Sequence, residues 1–252
     1  MQHFDLGAAV PKLKAIGQDN LATQIERCRS AHAIIIDLEE AGENIMLAAE
    51  IISEERQKHG FAWDKDPKER RKVSALLKSA LLAYYRAIDG GAAGRVGPPV
   101  SEFVAKAGLE GEQARVLDAR HNSIAHYGGP SDEFLRWNSD AMVLNIVTDS
   151  SASITFPHHR WHFRTEITKD LARLLDAIIP QMWHWLTKNA TKVQSKLGWL
   201  SRNGLIDVIS ENEFVPQDFY YSSDSILEFQ KNAPLSKLFP LTLQLTPNSR
   251  TE

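Results

Sequence analysis

Arginine, asparagine and histidine stand close together in the run Arg120-His121-Asn122-Ser123-Ile124-Ala125-His126, and that set of groups suits phosphate chemistry. A guanidinium is a planar cation whose forked donors match the oxygens of a phosphate. An imidazole exchanges a proton near neutral pH, which attack of an RNA 2′-hydroxyl on its neighbouring phosphate requires. Charge then builds on the phosphoryl oxygens, where a forked cation stabilises it. Spacing by itself carries little weight. With fifteen arginines and nine histidines in the chain, Arg-x(4–6)-His arises by chance roughly once or twice. Two further matches, Arg27 to His32 and Arg115 to His121, read as accidents.

Context distinguishes the third match. Val116, Leu117 and Ile124 form an apolar stripe, and Arg120 falls on or beside it, where a cation is costly unless an anion or solvent meets it. The plainer reading is that Arg120 snorkels outward or pairs with an acidic residue of its own fold. His126 precedes Gly128-Gly129, where the helix dipole favours a cation, so a capping role is equally in view. Asn122 and His126 are four apart and share a face. Arg120 and His126 are six apart, and at about 100° per residue they lie well round one straight helix from each other. Either the helix unwinds near Ala125, or two copies face each other and share a cleft.

The elements that must position these groups are mainly helical. A first helix is predicted from about Gln18 to Lys58, with Leu21, Ile25, Cys28, His32, Ile35, Gly42, Ile45, Ala49 and Ile52 as its buried stripe and a bend or break at Gly42. A second starts at Asp66-Pro67-Lys68-Glu69, with Asp66 as cap and Glu69 closing a capping box; Val73, Leu76, Leu77, Leu81, Tyr84 and Ile88 face inward, and Gly90-Gly91 ends it. A short helix opened by Ser101 turns Phe103, Val104 and Ala107 inward, and a helix from about Glu110 to Ala125 carries the Arg–His run. The period then changes. Met142–Val147 and Ser153–Phe156 read as strands around Asp149-Ser150-Ser151. The last main helix, capped by Thr165 and bent at Pro180, runs through Ile167, Leu171, Leu174, Ile178, Met182 and Trp185 towards Trp199. Ile206 to Ile209 reads as a strand, and the rest, with four prolines between Val215 and Asn248, as an irregular tail.

The string Asp118-Ala119-Arg120-His121-Asn122-Ser123-Ile124-Ala125-His126-Tyr127-Gly128 resembles the signature of HEPN domains (higher eukaryotes and prokaryotes nucleotide-binding), an arginine, a polar residue and then a histidine on a late helix before a final long one. The resemblance covers residues 18–204. It implies an all-α, HEPN-like antiparallel helical bundle, here with a small β-hairpin inserted at about 141–163 and an irregular C-terminal extension at 205–252. In HEPN ribonucleases two motifs meet in a symmetric homodimer and cleave RNA without metal. The resemblance therefore implies His126 as the acid/base group, Arg120 as the phosphate clamp and His121 or Asn122 as the supporting polar residue. It also implies no cofactor, a homodimeric state, an antitoxin partner and a role as a toxin or in defence against phage. Other HEPN domains are catalytically silent and bind a nucleotide or a partner protein, so a non-catalytic module is the alternative.

Lys65, Lys68, Arg70, Arg71 and Lys72 form a basic cluster that is either a solvated face or, through Lys68, Arg70 and Arg71, a guide for an RNA backbone. Pro157-His158-His159-Arg160-Trp161-His162-Phe163 invites a metal reading, but along a strand His159 points opposite to His158 and His162, and no carboxylate or cysteine stands beside them. It reads as a polar surface strand, with Arg160 as a further RNA contact and no metal. Trp183, Trp185 and Trp199 suit core or interface packing. The formal net charge of −3 argues against a general nucleic-acid coat protein. Residues 205–252 hold seven acidic residues against three basic ones and are −4, which leaves +1 on residues 1–204, so an RNA contact must be local. The single Cys28 excludes an internal disulfide and suits a reducing compartment. Met1 to Gly17 shows no secretion signal, and no apolar run approaches the roughly 20 residues a bilayer needs. The expectation is a cytoplasmic protein with no membrane partner.

Overall fold

The structure, a computed structural model, describes residues 4–60, 66–89, 96–120, 143–148, 151–155, 165–202, 207–216, 222 and 225. Its elements in chain order are α1 (Leu6–Ala15), α2 (Asp19–His59), α3 (Pro67–Ile88), α4 (Val100–Ala107), α5 (Glu110–Arg120), β1 (Val143–Thr148), β2 (Ser151–Thr155), α6 (Thr165–Arg202) and α7 (Asp207–Ser210). The fold is mainly α. β1 and β2 pair antiparallel, with Val143 opposite Thr155 and Asn145 opposite Ser153, and the register shifts between Ile146 and Thr148.

The chain divides into two compact units, Met1–His32 with Gly94–Pro98 and Met182–Glu252, and Ala33–Ala93 with Pro99–Gln181. α2 and α6 contribute residues to both. In the first unit Ala9, Val10 and Leu13 of α1, Leu21, Ala22 and Ile25 of α2, and Val193, Leu197 and Leu200 of α6 form one buried cluster with Ile209. Each large aliphatic side chain so removed from water contributes about 1.5–3 kcal/mol. α1 has no counterpart in the sequence reading, because Gly7 and Pro11 break its helical signal. It forms because Asp5 caps it, its carboxylate accepting from the Gly7 and Ala8 amides at 2.7 and 3.1 Å, and because its buried face docks on the cluster. Pro11 lacks the N–H that would have bonded Gly7. Ile206 to Ile209, read as a strand, is in its described part the helix α7, held by the buried Ile209.

In the second unit α2 supplies Ile34, Ile35, Leu38, Ala41 and Ala48 as buried positions; of the stripe read from the sequence, Ile35 is among them and Ile45 and Ile52 pack half-buried against the cluster of Ala48. His32 and Ala49 are exposed, and the true face runs through alanines, which a hydropathy reading undervalues but which let a neighbouring element approach closely. Gly42 neither ends nor divides α2. α3 begins as its Asp-Pro pair predicts, with the Lys68 amide donating to Asp66 at 2.7 Å and Pro67 at the first helical position. Glu69 accepts from Lys72 at 2.7 Å instead of closing a capping box. Val73 and Leu77 cluster with Ala48 and the flanking Ile45, Ile51 and Ile52. α4 starts at Val100 behind Pro99, not at Ser101, and buries Val100, Phe103 and Val104 while Ala107 is exposed. Gly108, at φ 66°, takes the left-handed conformation that ends α4 and turns the chain into α5. Thr165 is the first residue of α6 and not a residue outside it, and α6 passes through Pro180 without ending. Among the described residues no helix is long and apolar enough to cross a membrane.

Candidate functional site

The second unit holds Arg120 in place from two directions, along α5 and across to α3. α5 buries only Val116 and Ala119, so apolar packing gives it a narrow seat. Charge supplies the rest. Arg115 donates through Nε and Nη2 to the two oxygens of Asp170 at 2.7 and 3.1 Å, a forked pair with α6. Arg173, three residues on from Asp170, reaches Glu112, three residues before Arg115, at 2.8 Å. The two bridges cross in opposite sense between α5 and α6, and they fix both the height and the rotation of α5. Asp170 is 7% exposed. The hydrogen bond to Asp170 and that charge hold the Arg115 guanidinium above its ordinary pKa.

Arg120, the last residue of α5, lies a turn and a half further on, half-buried, with its Cζ 3.8 Å from the centroid of the Tyr85 ring. A cation that close to an aromatic face is attracted by the ring's quadrupole. The stack lets a guanidinium sit beside a packing face without an apolar neighbour meeting its charge. Tyr84, Tyr85 and Arg86 are consecutive, and about 100° per residue sends them three ways. Tyr84 is fully buried. Its hydroxyl makes no hydrogen bond; burial pushes the phenol well above its ordinary range, and the Gln113 side chain lies close enough to oppose that shift without meeting bond geometry. Tyr85 lies under Arg120. Arg86 donates to Asp37 at 3.0 and 3.1 Å and to Glu40 at 2.6 Å, tying α3 to α2. Burial works against the Arg86 charge, but the two carboxylates outweigh it and raise its pKa.

The other two arginines that matched the Arg–His spacing are engaged structurally. Arg115 belongs to the α5–α6 bridges, while in the first unit Arg27 lies 5.5 Å over Trp185 and His32 meets Trp183 edge-on at 6.2 Å. Cys28 is half-buried, and burial raises its thiol pKa against the opposing pull of Arg27, which leaves it a weak nucleophile. Lys68, Arg70 and Arg71 are exposed on the first two turns of α3, where Lys72 is paired with Glu69. His121, Asn122, His126 and Arg160 lie outside the described residues, as do Lys65, Gly90-Gly91 and the run Pro157 to Phe163. The structure thus places Arg120, Lys68, Arg70 and Arg71 among the predicted site residues, all on the second unit. Tyr85, Asp170 and Glu112, which set the position of Arg120, were not predicted, and no periodicity links residues so far apart in sequence. The chain matches no protein-family model, no curated protein and no solved structure.

Proposed function

We propose that this chain is a metal-independent endoribonuclease of the HEPN type, with residues 18–204 as the catalytic bundle, a hairpin at about 141–163 and an extension at 205–252. What supports it is the placement of Arg120. A forked cation stands 3.8 Å over an aromatic ring at the end of a doubly bridged helix, immediately ahead of the segment that carries His121, Asn122 and His126. Such a cation is preorganised, and preorganised charge is what stabilises an oxyanion as it forms.

In this reading two copies combine their motifs. His126 takes the proton from the RNA 2′-hydroxyl as its oxygen bonds to the adjacent phosphorus. Arg120, with His121 or Asn122 beside it, holds the charge that collects on the phosphoryl oxygens. The bond to the 5′-oxygen breaks, and that oxygen leaves with a proton from the partner's His126. The products are a 2′,3′-cyclic phosphate and a free 5′-hydroxyl, and no electron is gained or lost. A homodimer supplies the second imidazole, Lys68, Arg71 and Arg160 meet the RNA backbone, and a protein antitoxin would keep a cytoplasmic toxin or phage-defence enzyme of this kind silent.

RNA cleavage in excess chelator tests the proposal. The expected result is cleavage with cyclic phosphate ends by a dimer, abolished by His126→Ala and by Arg120→Ala in variants that keep their helical circular dichroism. Activity that persists in both variants overturns it. A folded wild-type chain that cuts no RNA but binds a nucleotide or a protein would establish the non-catalytic alternative.

A further inference from the structure

We infer that the solvent face of α3 is the track along which a single RNA strand approaches Arg120, with Lys68, Arg71 and Lys78 as its phosphate contacts and Tyr85 at its end. This rests on the ribonuclease reading above and deepens it by naming the strand and its path.

Helix geometry selects these residues. At about 100° per residue, Lys68, Arg71, Ala75, Lys78 and Leu82 fall within an arc of about 80°, with Tyr85 at its edge. All five are exposed or half-buried, and Leu82 is 38% exposed although apolar. Arg70, adjacent in sequence to Arg71, turns about 100° away from it, into the sector of the buried Val73, Leu77 and Tyr84. The stripe therefore sorts the basic cluster. Lys68 and Arg71 belong to it, Arg70 does not, and Lys78, two turns further on, does.

Electrostatics argues that the stripe is there for an anion. Among the described residues, no carboxylate comes within ion-pair distance of Lys68, Arg70, Arg71 or Lys78, whereas Lys72 takes Glu69 and Arg86 takes Asp37 and Glu40. Asp66 and Glu69 serve the positive end of the α3 macrodipole, yet three of these cations crowd the same two turns against that preference. A stretch that violates its local electrostatic preference is where function is to be looked for. The path also leads somewhere: Tyr85 ends it, and on the Tyr85 ring lies the Arg120 guanidinium.

Dimensions fit one strand. Lys68 to Lys78 rises about 15 Å at 1.5 Å per residue, the length of about four stacked phosphates at 3.4 Å each. A single file of cations follows one backbone, and attack by a 2′-hydroxyl needs a nucleotide free to leave the stack, which single strands allow.

The test uses the full-length chain carrying His126→Ala and a fluorescein-labelled uridine oligonucleotide, with anisotropy followed as salt is raised. Binding to a single strand loses about 0.7 in log–log salt slope per phosphate contact removed. The triple variant Lys68→Ala, Arg71→Ala, Lys78→Ala should flatten the slope by about two, Arg70→Ala should leave it unchanged, and Lys78→Arg should keep it. A slope that the triple variant does not flatten, while the otherwise wild-type chain still cleaves RNA in chelator, overturns the track and leaves the ribonuclease reading standing. A flattening seen only with duplex RNA overturns the single-strand assignment. A wild-type chain that neither binds the oligonucleotide nor cleaves RNA sinks both.

Discussion

Replacing Tyr85 by leucine removes the ring beneath Arg120 while leaving an apolar side chain on the same face of α3. The cation stands 3.8 Å from the ring centroid, well inside the reach of a cation–π contact, and Arg120 is half-buried. An exposed contact of this kind contributes about 0.5–1 kcal/mol and a desolvated one about 2, so a half-buried pair should come to about 1 kcal/mol. Single substitutions confound that value with changes in packing, so the measurement is a double-mutant cycle. Tyr85→Leu, Arg120→Met and the double variant are unfolded in urea, and the coupling is the part of the double loss that the single losses do not supply. A coupling near about 1 kcal/mol is expected; a value below about 0.3 kcal/mol, the scatter of independent sites, refutes the claim that the ring holds the guanidinium. Tyr85→Phe keeps the ring and should keep the coupling to Arg120. If Arg120 clamps a scissile phosphate, loss of about 1 kcal/mol of positioning lowers kcat/KM about fivefold in Tyr85→Leu, and Tyr85→Phe restores it.

Three further outcomes follow from packing and charge. Gly42 lies inside the unbroken α2, and a Cβ built there meets nothing within 4 Å; Gly42→Ala should raise the unfolding free energy by about 0.5–1 kcal/mol, read as a higher urea midpoint at unchanged slope. The Tyr84 hydroxyl is buried without a hydrogen bond, so Tyr84→Phe should leave neutral-pH stability equal or raise it by about 1 kcal/mol. Its folded-state pKa is raised, so the wild type's margin is complete below about pH 10, the unfolded value, and shrinks as pH rises towards the folded one; the phenylalanine variant should lack that part of the alkaline loss, and identical pH profiles would contradict the assignment. Arg115→Met strands Asp170, 7% exposed, without its forked partner, whereas Asp170→Asn leaves Arg115 with a side chain 55% open to water. The arginine variant should therefore lose more stability in thermal unfolding, and the reverse order would mean that the pair is not what seats α5.

Where the chain announces an element through local chemistry, the sequence reading and the structure agree. Asp66-Pro67 starts α3, and Leu171, Leu174, Ile178 and Met182 form a buried stripe on α6. The misreadings share one cause, that what a helix buries depends on what approaches it. Three-then-four spacing runs the α2 stripe through His32 and Ala49, which are exposed, whereas its packed positions include Ala22, Ala31, Ala41 and Ala48, whose small size matters only to a neighbour. In α1, Gly7 and Pro11 weigh against a helix locally, while the apolar face that docks Ala9, Val10 and Leu13 outweighs them. For the candidate site this difference decides what an isolated motif is worth. Arg27, Arg115 and Arg120 each precede a histidine at similar spacing, and spacing cannot rank them. Their surroundings can: Arg115 is held by Asp170, Arg27 lies over Trp185, and Arg120 sits on Tyr85 at the end of α5, beside the stripe of Lys68, Arg71 and Lys78. Asp170 takes up the charge of Arg115 and makes it a strut between α5 and α6, and Trp185 meets Arg27 with its ring face. Arg27 and Arg120 share a ring contact in kind, and what sets Arg120 apart is its place: it closes α5 directly ahead of His121, Asn122 and His126 in sequence, on the unit that also carries Lys68, Arg71 and Lys78.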